Sequence, residues 1–455
     1  MTETIDGRTL VAWGFKPGRG FQDMIREANA LRSEGHGDDA IFTKLQSMVP
    51  VETLLRTNSI PYATFLDTDN EIERANAAAV AAHMDVLLRT PTIVAGAVMP
   101  DACPSGSQPG TIPVGGAVAC EDAIHPGFHS ADICCSVMMT IFKRDDDPKR
   151  LLDAVQKVTH FGPGGREGAI LPPAEIMAAI SGNPFTKGLE NFAVGHFASQ
   201  GDGNHFAYVG RVRSSGDLAL ITHHGSRGFG AQLYKRGMAV AKKHTAIHAS
   251  KVPPHNAWIK ASSNDGRAYW AALQIVRDWT KANHEAIHEM AARELGNAIY
   301  SQVWNEHNFV FQKSDGLFYH GKGATPSWKG FAADDTGYTL IPLNMAEPIL
   351  ITTHKDRRES LGFAPHGAGR NMSRTQHLKG GGHSEELSEL QSSGLDIRSF
   401  CGKPDYSELP SAYKDAASVG RQIAKFGLAE VVDHVDPYGS IMAGDWQQDA
   451  PWRKK

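Results

Sequence analysis

Short strand-like runs, broken by glycine-rich turns that carry histidine, constrain this chain most strongly because they interrupt any regular alternation of strand and helix. Residues 206–209 and 218–222 read as strands from their apolar and β-branched content between turn residues. Further strand-like runs lie at 92–98, 308–311, 339–343, 349–353 and 429–432. Helices fall among them irregularly. One is expected at 38–48, and a second over about 70–88, capped by the cluster Asp67-Thr-Asp-Asn70. A third starts at Asp147-Pro148, where Asp is the cap and Pro fits the first turn. The longest is expected over 267–295, with Trp270, Leu273, Val276 and Trp279 as its buried stripe, and another over 416–426. This order predicts an α+β fold, a single large irregular domain, and not a doubly wound sheet.

Composition excludes some classes of protein. Of 455 residues, 41% are hydrophobic and 21% charged, as in an ordinary globular protein, and a net charge of −4 gives no global basic field for nucleic acid. Any RNA contact must therefore come from a local basic patch. Five cysteines at irregular spacing do not make a disulfide framework. The opening Met-Thr-Glu-Thr-Ile-Asp lacks a basic stretch followed by an apolar one, and runs such as 92–98 are too short to cross a bilayer. A cytoplasmic, reducing location with no membrane contact is the expectation.

Histidine, at 21 residues, is the unusual entry, and five segments carry the candidate chemistry. In His129-Ser-Ala-Asp-Ile-Cys-Cys-Ser-Val137, Asp132 and Cys135 stand three apart and can converge on one cation; the plain alternative is an inert buried cysteine. In Gln200-Gly-Asp-Gly-Asn-His-Phe206, two glycines lead into Asn204 and His205; the alternative is a simple hairpin turn. In Ile221-Thr-His-His-Gly-Ser-Arg-Gly-Phe-Gly230, a strand ends in His223, and the turn behind it offers Arg227 and backbone amides to a phosphate. His307 in Trp304-Asn-Glu-His-Asn-Phe309 gains weight only from the others. In Pro365-His-Gly-Ala-Gly-Arg-Asn-Met-Ser-Arg374, His366 precedes a glycine loop, with Arg370 and Arg374 expected in the first turns of a helix, a good phosphate environment. A histidine so placed is a candidate base or phosphoryl acceptor; the alternative is an anion-binding loop without a catalytic group.

Taken together and in this order, the segments resemble the RtcB family of RNA-splicing ligases. The family's Asp-Ile-x-Cys, Gly-x-Gly-Asn-His-Phe, His-x-Gly-Ser-Arg-Gly and His-Gly-Ala-Gly-Arg-x-Met-Ser-Arg motifs have counterparts here. So do Met99-Pro-Asp-Ala102, Lys322-Gly-Ala-Thr325 and Ala412-Tyr-Lys-Asp415. The likeness covers most of 92–444, so we expect one ligase domain over 1–455, with 1–90 a less similar N-terminal region and 91–444 the catalytic core.

The resemblance implies GTP- and manganese-dependent joining of RNA 3′-phosphate or 2′,3′-cyclic phosphate ends to 5′-hydroxyl ends, through a histidine–GMP intermediate, in RNA repair or tRNA splicing. By the same resemblance His366 is the nucleophile. Cys135 bridges two ions (manganese, or zinc under some conditions), with Asp132, His205, His223 and His307 completing the shells. Asn204, His307, Asn308, Asn344, Met345, His366, Gly367, Ala368 and Gly369 contact nucleotide, and Arg227, Lys322, Arg370 and Arg374 handle phosphates of nucleotide or RNA. An activating protein partner is left open.

The chain also departs from the family. Tyr208 stands where a guanine-reading Glu is usual, and Ala443-Gly444 where Lys-Gly is usual. Leu343-Asn-Met-Ala346 replaces Gly-Ser-Met-Gly, Cys103 replaces a His and Ser136 a Gly. Altered nucleotide preference follows as an expectation. A metal-dependent nucleotidyltransferase or phosphoesterase, or an RNA-end-binding protein on the same fold, are the alternative readings.

Overall fold

Two strands of this chain, Ser136–Phe142 and Leu218–His224, are buried at every position and must be covered on both faces. In the computed structural model, which describes residues 4–446 except 19, 50, 51, 167 and 169, they lie side by side in the middle of a large sheet. Its strand order is Tyr338–Ile341, Ile349–His354, Ala429–Met442, Phe206–Val212, Leu218–His224, Ser136–Phe142 and Ile299–Glu306, with Asp396–Ser399 paired parallel to Ala429–Met442. Alternation sets the two faces. Val137, Met139 and Ile141 pack with Tyr208, Ile221, Leu340, Ile349 and Val435 on the concave side. Ser136 and Thr140 point the other way and bond His284 and His288 of the helix Asn264–Leu295. The sheet curls until its outermost strands meet, where the Leu340 amide donates to Asn305 Oδ1.

A second sheet runs Ala63–Thr64, Ile93–Cys103, Val114–Cys120, Phe318–Lys322 and Asn308–Gln312. One residue, His307, separates the last strand of the first sheet (Ile299–Glu306) from the edge strand of the second (Asn308–Gln312). The short pair Ala324–Pro326 and Phe363–Pro365 leads from the second sheet to His366. Helix and strand are interspersed, so the α+β class read from the sequence holds.

Most expected elements are present, some with different ends. The helix 38–48 is found as Asp38–Met48, 70–88 as Glu71–Leu87 with Asn70 capping Glu73 N, and 416–426 as Ala416–Phe426. The long helix starts earlier, at Asn264, because Ser263 caps it. The strand expected at 429–432 continues to Met442, absorbing Pro437 with a register shift between Pro437 and Gly439. Several helices have no counterpart in the sequence reading, among them Phe21–Ser33, Ala174–Gly182, Arg227–His248 and His383–Ser392. Residues 5–48 bury their own apolar cluster of Ile5, Leu10, Phe15, Met24, Ala28, Ile41 and Leu45. The two ends of the chain, 1–3 and 447–455, lie outside the described residues. Among the described residues no helix is long and apolar enough to cross a membrane.

Candidate metal and nucleotide site

Antiparallel pairing brings distant residues to one end of the large sheet. Strands Phe206–Val212 and Ser136–Phe142 begin where Leu218–His224 and Ile299–Glu306 finish, with Phe206 and Val137 both opposite His223 and Ser136 opposite Glu306. His205, Cys135, His223 and His307, each at or next to one of those strand ends, therefore meet. Cys135 Sγ lies 3.2 Å from His223 Nε2 and 3.6 Å from His205 Nε2. His223 Nε2 is 3.2 Å from His307 Nε2, and His205 Nε2 is 3.4 Å from Asp132 Oδ2. Two ligand sets result, Cys135–His223–His307 and Asp132–Cys135–His205, each with donor atoms within 4.8 Å of one another and with Cys135 in common.

The backbone sets the chemistry of these rings. A carbonyl can only accept, so Gln200 O (2.8 Å) and Asn204 O (3.2 Å) place the protons of His205 and His223 on Nδ1 and leave both Nε2 lone pairs toward Cys135. Burial pushes His223 down to about 3, with the neighbouring His205 and His366 adding to the effect, and His307 well below the ordinary imidazole value. His223 and His307 are thus neutral, the ligating form. Burial and Asp132 push the Cys135 thiol up, a state that a bound cation reverses. Gly225 fits this crowding: a Cβ there would stand 2.1 Å from Asp132 Oδ1. Cys134 turns the chain at φ 59, and its amide donates to Asn308 O, fastening the Asp132–Cys135 turn to the second sheet.

His366 stands next to this group, its ring centroid 5.0 Å from that of His307. Asp101, fully buried, accepts from His366 Nδ1 at 2.5 Å and from the His366 amide at 3.0 Å. The carboxylate fixes the proton on Nδ1 and leaves Nε2 as the free nucleophilic atom. Gly369 makes this approach possible: it has φ +74, and a Cβ would meet Asp101 O at 2.0 Å. Asp101 was read only as part of a motif; its partnership with a residue 265 positions away had no local signal.

These groups open into a cavity of about 290 Å³. Asp132, Cys135, His223, His307 and His366 line it, as do Asn204, Asn308, Asn344, Met345 and the 367–369 loop. Lys322, Arg370 and Arg374 line it too. Burial brings Lys322 down to about 8, with Cys103 opposing the shift, and its ammonium donates to Ser105 Oγ at 2.5 Å. The arginines differ from expectation. The helix begins only at Arg374, so Arg370 lies in the loop before it. Both guanidiniums pair with Glu408, whose side chain is fully buried. Arg227 is not in the cavity wall: its guanidinium donates to Gly162 O, Gly164 O and Ser199 Oγ. Tyr208 does line the cavity, with its phenol donating to Val435 O at 2.8 Å.

Comparison with known proteins adds to this geometry. The family model described as tRNA-splicing ligase RtcB matches residues 175–443, more than half of the chain. Among curated relatives, a tRNA-splicing ligase RtcB of Archaeoglobus fulgidus is 28% identical over 278 residues, 52% of this chain and 58% of its own length. One of Thermococcus kodakarensis is 25% identical over 419 residues, 75% of this chain and 86% of its own. One of Methanococcus maripaludis is 27% identical over 310 residues, 58% of this chain and 62% of its own. The matches to the Archaeoglobus and Methanococcus relatives thus span about three fifths of those proteins.

Proposed function

The chain belongs to the RtcB family, and on that premise we propose that it is an RNA ligase that joins 3′-phosphate or 2′,3′-cyclic phosphate ends to 5′-hydroxyl ends at the expense of GTP. The observation that carries the reading is the Asp101–His366 pair beside two ligand sets that share one thiol. His366 Nε2 attacks the α-phosphorus of GTP; an N–P bond forms, and pyrophosphate leaves with the bridging oxygen. Asp101 stabilises the positive ring that results. An oxygen of the RNA 3′-phosphate then takes the GMP, breaking the N–P bond, and the 5′-hydroxyl attacks the RNA-side phosphorus to expel GMP. A cyclic end must first be opened by water.

Asp132, Cys135, His205, His223 and His307 would hold two divalent ions, manganese or, given the thiol and imidazoles, zinc. When bound, such ions neutralise phosphate oxygens and help the leaving group depart. Lys322 supplies charge to the phosphates from the cavity wall. Arg370 and Arg374 would do so while sharing Glu408, so that one buried carboxylate halves their net charge.

Incubation with α-labelled GTP and manganese tests the reading. We expect label on the protein, absent in His366→Ala, and its transfer to a 3′-phosphorylated RNA that then seals. A protein that never takes label, in any divalent ion, overturns the covalent step. The nucleotide preference is a separate part of the proposal. Tyr208, whose hydroxyl is committed to Val435 O, gives the base no carboxylate at that position. ATP is therefore expected to compete with GTP, and strict GTP selectivity would remove that part alone.

A further inference from the structure

A second cluster of ligating side chains lies on the segment that follows Arg374. The short helix Arg374–Leu378 carries His377, and Gly382, at φ +84, turns the chain into the helix His383–Ser392. That turn folds His383 back on His377, with ring centroids 4.5 Å apart and planes at 30°. One ligand atom each from His377, His383 and Glu386 lies within 4.8 Å of the other two.

The hydrogen bonds set both rings in the same tautomer. The Ser411 hydroxyl donates to Glu386 Oε2 at 2.6 Å, so its oxygen, 2.8 Å from His377 Nε2, accepts from that ring. His377 O, 3.1 Å from His383 Nε2, can only accept. Each Nε2 therefore carries the proton, and each Nδ1 carries a lone pair. His377 is 5% exposed and its Nδ1 is buried without a hydrogen-bond partner, an unfavourable state that a bound cation would relieve. Two imidazoles with Nε2–H anchored to oxygen, plus a carboxylate, are the donor set of a zinc site with one position left for water. Nitrogen donors disfavour calcium and magnesium.

We propose that His377, His383 and Glu386 bind one zinc ion that clamps the two helices together at the rim of the cavity. The clamp fixes the backbone three residues beyond Arg374, whose guanidinium pairs with Glu408 in the cavity wall. The proposal rests on these three residues alone and stands whether or not the protein seals RNA.

Zinc itself is the probe. The full chain, stripped with a chelator and titrated with zinc against a chromogenic competitor, is expected to take one more tight equivalent than either His383→Ala or Glu386→Gln, all three checked for folding by circular dichroism. Repeating the titration with Cys135→Ser added removes shared sites from the count and should leave the same difference of one. Trypsin at Lys379 locates the ion. Zinc at about ten times its Kd should slow cleavage there about tenfold, because a ligand held only by the closed form suppresses opening by one plus the ratio of zinc to Kd. His383→Ala should abolish that protection. Equal zinc counts in all chains, or protection that survives in His383→Ala, would leave only a hydrogen-bonded brace and overturn the clamp.

Discussion

At the scale of single residues, the site works by burying groups that prefer water beside partners that fix their protons. Asp101 is the clearest case, since its carboxylate decides which nitrogen of His366 is free. In Asp101→Asn the amide can donate to Nδ1 and drive the proton to Nε2, removing the nucleophile. The rate of nucleotide labelling should fall by about 10²–10⁴-fold with little change in nucleotide affinity. Labelling at the unsubstituted rate would show that Asp101 is only a packing partner. Lys322 makes a different prediction. The unfolded chain keeps this proton up to the ordinary 10.5, while the folded protein gives it up at about 8. Burial of the ammonium therefore costs stability below pH 8, and stability is regained as pH rises between the two values. Phosphate binding needs the charged form, so the sign is opposite for ligand. GTP affinity should drop about tenfold as pH rises from about 7 to about 9, the worth of one charged hydrogen bond. Equilibrium binding across that range checks it, and Lys322→Arg, which stays charged, should be flat.

Elements were legible in the sequence wherever local patterning and tertiary structure agree. Glu71–Leu87 and Ala416–Phe426 have caps and apolar periods that survive in the fold. His205 and His223 were legible because each sits where a β-run meets a glycine turn. The helix Arg227–His248 was not, since Gly228, Gly230 and Gly237 all argue against a helix by propensity. The fold needs those glycines: a Cβ at Gly230 would stand 1.7 Å from Ser226 Oγ, and one at Gly237 2.5 Å from the Tyr269 ring. Close packing there outweighs propensity, and only the neighbours reveal it. Pro437 likewise hid the second half of Ala429–Met442, and Glu408 hid the engagement of Arg370 and Arg374, because ion pairs between distant elements leave no spacing to read. The loop at His366 gives the test at this scale. Gly369→Ala must strain a positive φ and push against Asp101 O at 2.0 Å. Stability should fall by about 2 kcal/mol or more in urea titration. Labelling should fall with it, as the loop pulls His366 from its carboxylate; a variant as stable and active as the parent would mean that the contact is not the one fixing the loop.

Across the whole molecule the large number of buried imidazoles sets a limit on acid stability. His125 and His129 bound the short helix Pro126–His129, against Phe128 and Tyr269, and His288 lies on the long helix against Thr140. Burial lowers them from 6.5 to about 3, about 4 and about 3, with backbone hydrogen bonds opposing it at His125 and His129. In each case the unfolded chain takes up a proton near 6.5 that the folded protein refuses, so stability is intact above that value and is lost as pH falls toward the folded values. At about pH 5 each group can cost roughly 2 kcal/mol, and three together approach the whole net stability of an ordinary domain. Carboxylates, with ordinary values near 4, have barely begun to titrate there. The expected outcome is a urea midpoint that is flat above about pH 7 and falls below pH 6 with an uptake of at least three protons per unfolding event, His223 and His307 adding to it in metal-free protein. Replacing His288 by Gln, which keeps a polar group between Thr140 and Thr222, should reduce that uptake by about one proton in the same titration. A midpoint that stays level to about pH 5 would mean that these rings gain protons in the folded state through water reaching the layers, and that the sheets are less tightly sealed than the buried strands Ser136–Phe142 and Leu218–His224 require.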